Sequence, residues 1–587
     1  MRKTYYNIIG AFCALCFLAS CSDFLEIKSR EEILLEDFWN EKADVDNIVA
    51  GCYSGMQAEN VIARMIVWGE ARSENMMVGP HDPLDGNLEN ILKENIKTKN
   101  AYTSWDGFYT VINRCNTVIK YAPQVAASDP GYTQNELQAT IAEVSALRDL
   151  MYFYLIRTFR NVPFSFEAFT DDDQMMAVEP LPFETVLDSL ILDLESVQNK
   201  AIKRYPAETK PKYQTGRITR SAIWAMLCEM YLWKQDYENC KKYADLVIQD
   251  KKDLQEERLS QGLTSETGQA AKTRFNGYPL IDCRNSAYEK IFIQGNSQET
   301  IFELLFDKND PGYSMLGNSA VGRLYGSGST FSAYLAPSNI VAEDGTKTTQ
   351  RSIYADRNKS FDARIYWNAN GGNTFTSISK YAYALVNYSG TSTELSGSSS
   401  NPFSYAKVND VEHFRNSSPW IIYRLSDIML LKAEAITQQM RDGNDTEDIE
   451  FNTPLLKEAF ALVNAVNKRS VYQDNLLDTL LASSYRTKSL MVELVMQERQ
   501  RELMYEGKRW YDVVRRCMRE GSTDFACTVI SRRDGLNTQY VLNTFRSPST
   551  GMWAIFWPYN DEETKVNPNL AKHQNPAFDS GEDNISK

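Results

Sequence analysis

The chain is poor in the residues from which most hydrolytic and metal sites are built. It has three histidines in 587 residues, His81, His413 and His573, set far apart and without an H-E-x-x-H spacing. No G-x-S-x-G elbow occurs, Gly326-Ser327-Gly328-Ser329 having the wrong order, and there is no P-loop. Basic charge is also short: 63 Lys and Arg stand against 77 Asp and Glu, a net charge of −14. A nucleic-acid partner demands a basic face, so none is expected. No metal site or cofactor is expected either. What the chain does have is aromatic: 12% of its residues, with 32 Tyr outnumbering 26 Phe. Such side chains stack and hydrogen-bond at once. A chain this long buries a large core without needing disulfides or metal.

Long apolar runs are confined to the start. Arg2 and Lys3 precede a short apolar stretch, Ile8 to Leu18, and small residues then lead into Cys21. This pattern is a secretory signal, too short for a stable membrane span. Leu18-Ala19-Ser20-Cys21 resembles the bacterial lipobox, in which the cysteine sulfur is acylated before the signal is cut; the alternative is an ordinary signal that happens to end at a cysteine. Two or three acyl chains on Cys21 would anchor the protein stably to a membrane. Cys13 and Cys16 would leave with the signal. The seven cysteines beyond Cys21 are scattered, without metal-ligand spacing, and read as small buried apolar residues.

Hydrophobic periodicity organises the rest. The expected segments are a signal over 1–20, a helical part over 21–258, an irregular insertion over 259–415, and a helical part with its tail over 416–587. Trp105, Tyr109, Ile112, Asn116 and Ile119 fall on one helical face, and a long helix over 136–160 stops at Asn161-Val162-Pro163. Residues 221–250 resemble one tetratricopeptide unit, with Trp224, Leu227 and Tyr231 at the large positions and small Cys228 and Cys240 at the close approach. Gln235 stands where Gly is usual, and a generic helical hairpin is the alternative. Helical periodicity returns at 420–440, 454–470 and 486–517. The insertion is rich in Gly, Ser, Asn and Tyr and reads as loops and short strands. The fold class is therefore mainly α, a helical scaffold carrying a large irregular loop and short-strand insertion.

The run from Glu498 to Asp512 places acids and bases three and four residues apart. Glu498 is expected to pair with Arg501, and Arg509 to bridge Glu506 or Asp512. With no nucleophile or metal set beside it, the run reads as a charge network fastening two helices.

Here the chain resembles the SusD/RagB family of outer-membrane nutrient-binding lipoproteins. The matching segments run in order from Cys21-Ser22-Asp23-Phe24-Leu25 through Phe38-Trp39 and Trp105 to Arg148. They continue with Asn161-Val162-Pro163, Gly216-Arg217, Tyr423-Arg424 and Ala433-Glu434-Ala435. Glu498 to Asp512 and the closing Gln574-Asn575-Pro576 complete the set. The resemblance implies a tetratricopeptide-like helical superhelix whose irregular half carries the ligand site. It also implies an outer-membrane, surface-exposed location and a SusC-like TonB-dependent barrel as partner. It implies no catalysis.

A saccharide binder needs flat rings with amides and charges at their rims. Two segments meet that requirement. The first holds Trp68, Arg72 and Asn75 and runs on to His81. The second is the insertion, with Tyr313, Tyr325 and Trp367, and with Phe331 and Tyr334 beside them. The rings favour an oligosaccharide, and the polar residues suit a peptide equally. A lipid-anchored glycoside hydrolase and a protein-binding tetratricopeptide adaptor are the remaining alternatives.

Overall fold

The computed structural model describes residues 38–578, apart from 171–176, 208, 262–274, 284–286, 307–316, 327–332, 342–352, 355–361, 371–376, 382–384, 389–402, 407–416, 444, 472–479, 534–535 and 537. Cys21, Tyr313, Phe331 and His413 lie outside the described residues.

Two helices, α1 (Lys42–Met56) and α2 (Glu59–Ile66), lead into a series of long ones: α3 (Asp106–Ser128), α4 (Gln134–Phe159), α5 (Phe183–Val197), α6 (Arg220–Trp233) and α7 (Tyr237–Ser260). After the insertion come α8 (Leu425–Gln438), α9 (Thr446–Ser470), α10 (Lys488–Leu503) and α11 (Arg509–Glu520). Helix α3 packs on α1 and α4, α4 on α5, α6 on α7, α7 on α8, and α8 on both α9 and α10. Most of these helices thus pack on a near neighbour in sequence, which makes a tetratricopeptide-like array.

Local sequence explains the boundaries. Helix α4 starts with a capping box: the Glu136 amide donates to Thr133 Oγ1 at 3.3 Å and the Thr133 amide to Glu136 Oε2 at 2.9 Å. It ends as Arg160 turns to φ 69°, and Val162–Pro163 leaves as a short strand. In the α6–α7 hairpin Cys228 Sγ lies 3.8 Å from Cys240 Sγ, the close approach that small residues permit. Gln235, in the turn, adopts φ 63°, the left-handed conformation that Gly holds without strain. All seven described cysteines are buried.

Two helical expectations need correction. Trp420–Arg424 is a strand, paired antiparallel with Thr300–Leu304, and α8 begins only at Leu425. Every residue of both strands is buried, so neither shows the alternation that marks a half-exposed strand, and W-I-I-Y reads equally as helix. The single helix over 486–517 is two, α10 and α11, broken where Tyr505 and Gly507 take φ 64° and 70°.

The charge network is buried and wider than a two-helix clamp. Glu498 does pair with Arg501, at 2.8 Å, and also takes Arg364 at 2.7 Å. Glu502 pairs with Arg424, Arg469 and Arg364, and Glu506 with Arg424 and Lys380 at 2.7 and 2.6 Å. Three positive partners around Glu502 hold its carboxyl well below the usual range against the cost of burial. The network ties α10 to the strand before α8, to α9 and to the insertion. Arg509, however, pairs with neither Glu506 nor Asp512 but with Glu74.

Candidate ligand-binding site

Residues 59–85 run from the interior to the rim. Helix α2 continues into a π-helical turn, Val67–Ala71, that is entirely buried. The Trp68 ring stacks on Phe108 at 4.7 Å and meets Phe159 edge-on at 5.2 Å, and its Nε1 donates to the Tyr102 carbonyl at 2.7 Å. The next residue, Gly69, lies so close to the α10–α11 turn that a Cβ there would sit 1.8 Å from the Gly507 carbonyl oxygen.

That approach brings Glu70 under the start of α11. Its carboxylate accepts from the amides of Tyr505, Lys508 and Arg509 at 3.1, 3.2 and 3.5 Å. Helix α11 has no side-chain cap of its own, and Glu70 serves in its place. Burial nevertheless outweighs those donors and pushes the Glu70 carboxyl up to about 7. Asn75 Nδ2 donates to Glu70 at 2.7 Å and Asn75 Oδ1 accepts from Gln500 at 2.8 Å. Arg72 pairs with Glu94 at 2.8 Å, donates to the Ala554 carbonyl at 2.7 Å, and lies over the Trp510 ring.

The side chains of Trp68, Arg72 and Asn75, expected to meet a ligand, are therefore interior; none is more than 1% exposed. Tyr325 is likewise buried, its hydroxyl donating to the Tyr505 carbonyl at 2.9 Å, and buried Trp367 packs by Phe292 beneath the Arg469 guanidinium. Rings, amides and guanidinia suit a sugar, but they also suit a satisfied polar core, and composition does not separate the two.

His81 is different. The strand Met76–Val78 pairs with Leu335–Pro337, and past it the Gly79 amide donates to the Tyr334 carbonyl at 2.8 Å and the His81 amide to that of Ala333 at 3.1 Å. A Cβ on Gly79 would sit 2.1 Å from the Ala333 carbonyl oxygen, so only glycine allows the two segments this contact. The result is a stacked ring pair: His81 lies on Tyr334 at 4.2 Å with 23° between planes. The Pro83 carbonyl accepts a hydrogen bond from His81 Nδ1, 3.0 Å away.

The same segment carries apolar Met77 and Leu84, 42% and 44% exposed. Arg323, half-exposed, pairs with Glu59 at 2.8 Å and bonds the Tyr102 hydroxyl at 3.3 Å. Sequence reasoning missed Met77, Leu84 and Arg323. Only the in-out-in pattern of Met76-Met77-Val78 carried a signal, and three residues are too few to read it. The rim thus offers flat apolar faces bordered by a guanidinium and carboxylates. A separate cleft of about 340 Å³, lined by Tyr109, Asn113, Phe164 and Phe169, holds none of the residues expected to bind.

Comparison with known proteins agrees with the helical array. A family model described as the SusD family matches residues 284–578, and one described as starch-binding associating with outer membrane matches 23–232. A SusD-like protein of Formosa agariphila is 25% identical over 97% of this chain and 99% of its own, and a second from that organism is 22% identical over 85% and 88%. Among solved structures, a SusD superfamily protein from Bacteroides thetaiotaomicron is similar with a TM-score of 0.58 at 18% identity, covering 92% of this chain and 99% of that one. A laminarin-binding SusD-like protein is similar with a TM-score of 0.57 at 17% identity, covering 92% and 100%. The chain belongs to the SusD family.

Proposed function

We propose that this protein is a surface lipoprotein of the outer membrane that captures oligosaccharides and delivers them to a SusC-like TonB-dependent transporter. The observation that carries the reading is the His81–Tyr334 stack on the rim, flat faces with Arg323 and Asp85 on neighbouring elements. Sugar rings present apolar CH faces edged by hydroxyls, which such a surface matches. The starch-binding description of one matching family model and the laminarin-binding structural relative support a saccharide over a peptide. Acylation at Cys21 would hold the protein beside its barrel and raise the effective concentration of captured ligand there.

Capture breaks no bonds in this reading. Titration calorimetry against a panel of oligosaccharides, followed by mass analysis of the same mixtures, tests it. Binding heat with unshortened saccharides is expected. Shortened products would favour a hydrolase, and heat with peptides alone would favour a peptide carrier.

A further inference from the structure

A second cleft, of about 720 Å³, opens where the end of α7 faces residues 204–214 and 290–298. It shares no lining residue with the rim at His81. For a chain of net negative charge its chemistry is unusual: among the described residues Arg204, Arg258 and Lys290 line it, against a single carboxylate, Glu257. Glu257 is already engaged, 3.1 Å from Arg204, whose other face pairs with Asp250 at 2.8 Å. Arg258 has no hydrogen bond or ion pair among the described residues, and lies close enough to Arg204 for like-charge repulsion to add to the cost of its partial burial. Buried Lys251, behind the cleft, is spent on the Thr300 carbonyl at 2.7 Å and feels Arg258 as a further repulsive charge. The Tyr205 ring and the amides of Gln294, Asn296 and Gln298 complete the lining.

A guanidinium crowded by another cation, with no acid paired to it among the described residues, is relieved by a bound anion. An aromatic ring and three amides around it suit a polyhydroxylated ligand. We propose that this cleft is a second binding site, for the carboxylate or sulfate group of an acidic saccharide, with Arg258 as the anion's principal partner. The inference rests on the saccharide reading but on a different surface.

The test uses the mature protein and three probes: an oligogalacturonide, its neutral methyl ester, and a sulfated galactan oligosaccharide. Binding of the acidic probes, weakening with added salt and lowered about tenfold by Arg258→Gln, is expected, since a charge-assisted hydrogen bond contributes about that much. The carboxylate and sulfate probes then separate the two anion sources. Arg258→Gln should melt no lower than the parent, because it removes a charge that has no ion pair among the described residues; Lys290→Gln supplies an independent variant on the cleft wall. Equal affinity for the acid and its ester, or unchanged affinity in both variants, would overturn the proposal. His81→Ala should leave acidic-probe binding intact. No neutral-saccharide binding by the parent protein would count against the rim site alone, and no effect of Arg258→Gln on acidic-probe binding against this one alone.

Discussion

Arg509 holds Glu74 from 435 residues away, Nη2 to Oε1 at 2.6 Å and Nε to Oε2 at 3.2 Å, with both side chains buried. The pair pins the base of the loop that carries His81 to the first turn of α11. Its arginine keeps the Glu74 carboxyl below its ordinary range although burial alone would raise it. Among the described residues, removing Arg509 leaves the buried Glu74 carboxylate with only the exposed Arg532, 3.7 Å away, to offset its charge. Arg509→Ala is expected to cost about 3–5 kcal/mol in denaturant unfolding, more than any exposed ion pair would.

Buried carboxylates without a full cationic partner give the opposite behaviour with pH. Burial pushes Glu70 and Glu303 each up to about 7, whereas an unfolded glutamate titrates near 4.3. Between those values the folded state holds more protons than the unfolded one, so stability falls as pH rises from about 5 to 7. Glu303 Oε1 accepts from Thr215 and from the Asn296 amide at 2.8 and 2.6 Å, contacts that the oxygen of glutamine can keep. Glu303→Gln should therefore make the decline shallower, by up to about 1 kcal/mol per pH unit, in unfolding free energies measured across that window.

The turn between α6 and α7 offers a stabilising change. Exposed Gln235 bears the left-handed strain that glycine escapes, offset partly by the greater freedom of glycine when unfolded. Gln235→Gly is expected to raise stability by about 1 kcal/mol, read as a higher denaturation midpoint at unchanged slope.

Trp68 separates packing from binding. Its ring fills the space between Phe108 and Phe159, so Trp68→Ala should cost about 3–5 kcal/mol of stability. Saccharide affinity of the fraction that remains folded should be unchanged.

The helical array was legible because its signals are local. A stop at Val162-Pro163 and a 3.6-residue period each act within a few turns, and the small Cys228 and Cys240 marked the hairpin contact. The strand Trp420–Arg424 was not legible, because pairing with Thr300–Leu304 buries both of its faces. The proposed site was legible only at its outer end. Ring-and-amide composition pointed to Trp68, Arg72 and Asn75, but whether such a group faces solvent depends on Gly69, Gly507 and α11, far apart in sequence. His81 was selected by its place in the segment, and its partner Tyr334 is set by a backbone pairing that no local pattern announces.

The most direct measurement is saccharide titration of the wild type beside His81→Ala and Tyr334→Ala, with thermal unfolding of all three as the control for folding. The expected result is binding heat with neutral oligosaccharides for the wild type, a loss of about tenfold or more in affinity for each variant, and unfolding temperatures within a few degrees of one another. Undiminished affinity in both folded variants, or no heat from any saccharide with the wild type, would contradict a capture surface built on the His81–Tyr334 stack.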